Sequence, residues 1–148
     1  MTDEPAQAQG AERFAVRATA ESNFAWLRTR LSVERTFMSW VRTATALIGF
    51  GFAIVQFFDR LADMQGVAAA RRPQLSRDLG LALIGAGVAA LLISCWQYLW
   101  VLKYMWSPSF RPIAGVREGG MLTPALAIGI VLILIGIVAF VAVLLRVP

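Results

Sequence analysis

The sequence predicts an all-α integral membrane protein with three transmembrane helices, and three observations carry that expectation. Hydrophobic residues make up 58% of the 148-residue chain and charged residues only 16%, the balance of a protein solvated by lipid rather than of a globular domain with a polar shell. Three stretches exceed the roughly 20 helical residues needed to cross a hydrocarbon core of about 30 Å. They are residues 36–58, where Arg42 is the only charge, and the uncharged residues 79–102 and 121–145. The third observation is a periodic polar face on the first of these stretches.

Residues 1–11 are rich in Ala, Gln, Asp, Glu and Gly without apolar periodicity and read as a disordered tail. Residues 12–35 scatter Phe14, Phe24, Trp26, Leu27 and Leu31 among Arg, Thr and Glu. This segment reads as an amphipathic cytoplasmic helix at the membrane interface, or equally as a plain linker, with Trp26 and Trp40 at headgroup depth. The three-helix transmembrane domain fills residues 36–148. The first apolar run starts too late, after five acidic and five basic residues, to be a cleaved signal peptide. Gly66 and Pro73 break the loop at residues 59–78, and Pro108, Pro112 and Gly119–Gly120 break the loop at 103–120. Trp96, Tyr98, Trp100, Tyr104 and Trp106 form an aromatic belt where the second span leaves the membrane. Pro124 falls in the first turn of the third span, where its missing N–H costs little. Gly80, Gly87 and Ser94, the step Gly85–Ala89, and Gly129 with Gly136 are small-residue contact positions for packing within one three-helix unit.

The net charge of +5 does not indicate nucleic acid, because the basic residues flank the spans. Nine lie before or just inside the first span or in the second loop (Arg13, Arg17, Arg28, Arg30, Arg35, Arg42, Lys103, Arg111 and Arg117) and five on the opposite side (Arg60, Arg71, Arg72, Arg77 and Arg146). The positive-inside rule then places the N-terminus in the cytoplasm and the C-terminus outside. There is no histidine, and the single cysteine, Cys95, is mid-span. An intrachain disulfide and the usual zinc and haem ligand sets are therefore excluded, no metal or other cofactor is expected, and Cys95 reads as a packing residue.

Arg28, Arg35 and Arg42 stand seven residues apart, and the spacing continues to Gly49 and Gln56. Seven residues are two helical turns less about 20°, so the five share one face. Ser39, Ala46 and Ala53 fill in the 4–3 alternation, all polar or small. Phe37, Val41, Leu47, Ile48, Phe52, Val55 and Phe58 lie on the other side and are expected to face lipid, leaving the arginine face to other helices or a wet cavity. Sixteen residues, about 24 Å, separate Arg42 from Asp59, which sets Arg42 near the inner edge of the hydrocarbon. Arg28 and Arg35 also fit as ordinary positive-inside residues. Glu34 can pair with Arg30 on the same helix or bridge to a neighbouring chain. Thr36 and Thr43 can back-bond to their own helix.

The run Leu31-Ser32-Val33-Glu34-Arg35-Thr36-Phe37-Met38-Ser39-Trp40-Val41-Arg42-Thr43, followed by Gly49-Phe50-Gly51, resembles the signature of the small YidH-type membrane proteins. There the pattern is broadly L-A-x-E-R-T-x-L-A-W-x-R-T; Ser32, Met38 and Ser39 depart from it while keeping size or polarity close. That family is similar to the membrane domain of the eukaryotic vacuolar transporter chaperone. The resemblance implies a pentamer of three-helix units in which basic residues of the first span line a polyphosphate path. It carries to Arg28, Arg35 and Arg42 by position, and the chain has no room for polymerase or phosphate-sensing domains.

Three classes of function follow. The first is a homo-oligomeric inner-membrane conduit for phosphate or polyphosphate with the first helix innermost. Arg28, Arg35, Arg42, Gly49 and Gln56 would line it, and Glu34, Ser39, Ala46 and Ala53 would lie at helix or subunit contacts. The second is a non-conducting scaffold or regulatory subunit that binds anionic lipid or a partner protein. The third, an enzyme, is disfavoured because no nucleophile–base pair can be assembled, and no catalytic residue is assigned.

Overall fold

The computed structural model describes residues 17–62, 73–115 and 123–145. It is all-α: α1 is Ala20–Ala62, α2 is Pro73–Met105, α3 is the single turn Arg111–Ala114, and α4 is Pro124–Leu145. Three of these, α1, α2 and α4, are long and apolar enough to cross a membrane.

α1 begins with a reciprocal cap. The Ser22 N–H donates to Thr19 Oγ1 at 3.2 Å while the Thr19 N–H donates to Ser22 Oγ at 2.9 Å, a capping box with Ser in the place of Glu or Gln. Glu21 in the first turn and Arg60 in the last complement the helix dipole. At 43 residues the helix is about 64 Å long, twice the hydrocarbon thickness, so it extends well beyond the apolar layer. α4 starts with Pro124 at its first position, and Thr123 Oγ1 accepts from the Leu126 N–H at 3.4 Å.

Helix boundaries run past the apolar stretches that predicted them. Residues 59–62 continue α1, residues 73–78 already belong to α2, and Pro112 does not break a helix but sits in the first turn of α3. Charge ends an apolar run without ending hydrogen bonding, and proline at a first turn gives up an N–H that has no partner anyway. The tail at 1–11, Gly66, Gly119 and Gly120 lie outside the described residues.

The chain divides into two units: Met1–Arg35 with Tyr98–Met121, and Thr36–Gln97 with Leu122–Pro148. In the first, Trp26 is 7% exposed and packs with Met105, Ile113 and Ala114. Its indole N–H donates to the Met105 carbonyl at 3.3 Å, and Trp106 meets it edge-on with centroids 5.3 Å apart. Asn23 Nδ2 donates to the Ile113 carbonyl at 2.6 Å, and Gly115 closes α3 with φ +66° beside it. Trp26 is thus a core residue, not a headgroup anchor. The aromatic belt splits for the same reason. Trp96, Trp100 and Tyr104 are exposed, whereas Tyr98 is buried and Trp106 half-buried.

In the second unit α1 packs through Phe37, Val41, Ala44, Ile48 and Val55, all buried. A Cβ built at Gly87 would lie 2.8 Å from the Ala44 carbonyl oxygen, and one at Gly80 would lie 2.8 Å from that of Gly51. α1 and α2 therefore touch backbone to backbone, as small residues in membranes permit. On α4, Gly129 admits the Phe37 ring and Cys95 Sγ, and Gly136 admits Val88 and Ile48. The small-residue positions Gly80, Gly87, Gly129 and Gly136 serve packing within the chain, and Cys95 is buried among them. One expectation is overturned here. Phe37, Val41, Ile48 and Val55 do not face lipid; of that set Phe52 and Phe58 are exposed and Leu47 half-buried. The side of the helix opposite the arginines is packed rather than turned to lipid, because Ala44 and Gly51 there admit α2 at backbone contact.

Candidate functional site

Helical spacing puts Arg28, Arg35, Ser39, Arg42, Ala46, Gly49, Ala53 and Gln56 on one side of α1. The packed residues Phe37, Val41, Ala44, Ile48 and Val55 centre roughly 150° away. Arg28, Arg35, Ser39, Arg42, Ala46, Gly49 and Ala53 are all exposed, while Gln56 and Glu34 are half-buried. A side chain built at Gly49 meets nothing within 4 Å, unlike Gly51, Gly80, Gly87, Gly129 and Gly136, each of which meets an atom at under 3 Å. α2 and α4 do not cover this face.

Depth follows from the helix register. Residue 44 of α1 approaches 87 of α2 and residue 51 approaches 80, so Arg42 falls level with Ala89. Ala89 is about 16 Å of helix from Asp78 and about 21 Å from Lys103, the charges that bound the apolar run of α2. Arg42 is therefore level with the middle of α2's apolar run. α1 projects past Asp78, the end of α2's apolar run, so a count along α1 from Asp59 starts about 9 Å further out. At the centre of the hydrocarbon a guanidinium would be beyond easy snorkelling and would cost about 2.5–3.5 kcal/mol on the insertion scale with lipid around it.

Local chemistry keeps the face open. Thr43 Oγ1 donates to the Ser39 carbonyl at 3.2 Å and Thr45 Oγ1 to that of Val41 at 2.8 Å, so both hydroxyls are spent on their own helix. Arg30 does not reach Glu34 but lies over the Trp26 ring, 5.7 Å from its centroid. One chain strings its arginines along a helix, about 10.5 Å apart, and brings no two of them together. Among the described residues, no three His, Cys, Asp or Glu side chains are grouped to hold a metal ion. A shallow apolar cleft of about 320 Å³ between Trp26, Tyr104, Met105 and Phe110 is lined by none of the predicted site residues.

Arg77 was read from the sequence only as a topological charge. Its Nη2 donates to the Leu144 carbonyl at 2.7 Å, capping the end of α4. The signal was there in a cation next to the end of an apolar run, but its partner lies 67 residues away.

Together these features define a small multi-pass α-helical membrane protein with an uncovered polar face on its first span. The family described as a domain of unknown function (DUF202) matches residues 25–104, and the chain belongs to that family. The match takes in nearly all of α1 and α2, and with them every predicted site residue. It is a family of small membrane proteins, with which the YidH-type resemblance is consistent. No curated protein and no solved structure matches the chain.

Proposed function

We propose that the protein is a homo-oligomeric conduit for anions such as phosphate or polyphosphate in the cell's inner membrane, with α1 innermost. The observation that supports this reading most is the open face of α1, with Arg42 level with the middle of α2's apolar run and Gly49 in open space. Lipid is a poor partner for that face. A second copy of the same helix around a rotation axis replaces lipid with guanidinium and water, and stacks arginine rings about 10.5 Å apart. Such rings select anions, and the planar fork of each arginine pairs two phosphate oxygens. Glu34, half-buried and about 100° around the helix from Arg35, would meet a neighbouring subunit in such an assembly. The resemblance read from the sequence to the vacuolar transporter chaperone's membrane domain implies five copies. The basic residues, nine against five, orient the N-terminus to the cytoplasm and the C-terminus outside.

Conductance of the purified protein in planar bilayers tests the reading. An anion-selective current supports it. Anionic-lipid binding without current would replace it by the non-conducting scaffold. Native mass spectrometry showing a monomer would remove the oligomer on which both arginine rings and track depend. Reporter fusions at Ala8 and Val147 test the orientation, and a cytoplasmic C-terminus would overturn it.

A further inference from the structure

Arg60 stands eighteen residues after Arg42 on the same unbroken helix. At 3.6 residues per turn that is five whole turns, so the two arginines share one azimuth about 27 Å apart. Both are exposed. Within about 50° of that azimuth, the only residues between them are Ala46, Gly49, Ala53 and Gln56. On the other side of Arg42 the same sector contains the bulky Leu31 and Met38. The uncharged stretch of the face therefore lies between Arg42 and Arg60, whereas the stretch back to Arg28 carries Arg35 beside Leu31 and Met38. The register adds the depth. Asp78, where the apolar run of α2 begins, is level with Ala53, so Arg60 lies seven residues, about 10 Å, beyond that boundary.

We propose that Arg60 is the anion-binding residue at the mouth opposite the Arg28 end, so that guanidinium groups guard both ends of the track. The assignment rests on the conduit reading and extends it to the far side of the membrane. Arginines ringed around a mouth concentrate anions there and hold phosphate oxygens in pairs. The neutral Ala46–Gly49–Ala53 stretch offers no second strong site, so an anion that enters is free to move on. The rival role for Arg60 is local: a last-turn cation facing the carbonyl end of α1.

The test is the reversal potential of the full-length protein in planar bilayers under a phosphate gradient, for the parent, Arg60→Gln and Arg60→Lys. Arg60→Gln is expected to lower phosphate-over-potassium selectivity several-fold, most strongly when phosphate enters from the Arg60 side, and Arg60→Lys to keep part of it. The Arg60→Cys variant, combined with Cys95→Ala to leave a single thiol, is modified after assembly. A cationic thiol reagent added on that side should restore the current and an anionic one suppress it. Unchanged selectivity in Arg60→Gln, or no response to either reagent, overturns the assignment while a conducting parent keeps the conduit reading. A parent without current removes both.

Discussion

Gly87 and Gly49 are glycines of adjacent membrane helices in one packed unit, and their surroundings are opposite. A Cβ at Gly87 would press on the Ala44 carbonyl and the backbone nitrogen of Ile48, at 2.8 and 3.2 Å, whereas one at Gly49 would meet nothing within 4 Å. The same contrast separates the two sides of α1. The side with Phe37, Val41, Ala44 and Ile48 is buried by its own chain, and the side with Arg42, Ala46, Gly49 and Ala53 is left exposed by the described residues. In water, an uncovered small-residue face would merely be solvated. In lipid, hydrophobic burial gives no drive for helices to associate, so a surface that is both small and charged needs some other partner.

The largest expected effect tests that contrast directly. Gly87→Leu should destabilise the fold by about 3 kcal/mol or more, because backbone atoms cannot yield to the new side chain. Gly49→Leu should leave the detergent-solubilised chain as stable as the parent, or up to about 1 kcal/mol more stable from helix propensity, yet obstruct assembly or current. Thermal unfolding followed by circular dichroism measures the first difference. Equal losses in both variants would mean that the Gly49 face is packed after all. A Gly49→Leu protein that assembles and conducts like the parent would show that α1 does not line a conduit.

Next in size is Arg42. Arg42→Gln should reduce anion selectivity by roughly tenfold, or about 1.4 kcal/mol, and more than Arg28→Gln does. Arg42→Lys keeps the charge but loses the planar fork, so it should fall between. Charge-neutralised variants with normal anion binding and current but failed assembly would make the open face a structural seam between copies.

A smaller effect is expected in the other unit, where Trp26→Phe removes the hydrogen bond to Met105. The loss should be about 1 kcal/mol, read as faster hydrogen exchange around α3 and the end of α2. Exchange at Ala44–Ile48 should stay unchanged. Smallest of all, Arg77→Gln should cost about 0.3–1 kcal/mol by uncapping α4, seen as fraying confined to its last turn.

The two tryptophans of the N-terminal half show how far periodicity reaches. Trp26 and Trp40 look alike in sequence, each an aromatic among polar neighbours near an apolar run. Only Trp26 has Met105 and Trp106 to pack on, and those are some eighty residues away, so one became core and the other remained 52% exposed. The same limit explains Phe37, Val41, Ile48 and Val55. A helical wheel separates apolar from polar, but it does not separate an apolar residue against another helix from one against lipid, since both environments are equally oily. Arg42's distance from a charged boundary depends on the helix along which it is counted, because the stagger between α1 and α2 is not written in either one.

What the sequence determined by itself is whatever depends on length, composition and helical spacing: three apolar helices, an arginine and small-residue face on the first, the proline start of α4, and the glycines that mark close contact. Backbone hydrogen bonds must be satisfied within each segment in lipid, so a long uncharged run has little choice but helix. The tertiary structure alone decided which side of α1 its own chain would occupy, which part of α2 lies level with Arg42, and that Trp26, Asn23 and Arg77 hold partners far away in sequence. Those outcomes depend on the steric fit of particular side chains against particular backbones, such as Gly87 on Ala44 and Gly80 on Gly51. Such fit exists only once two helices have met.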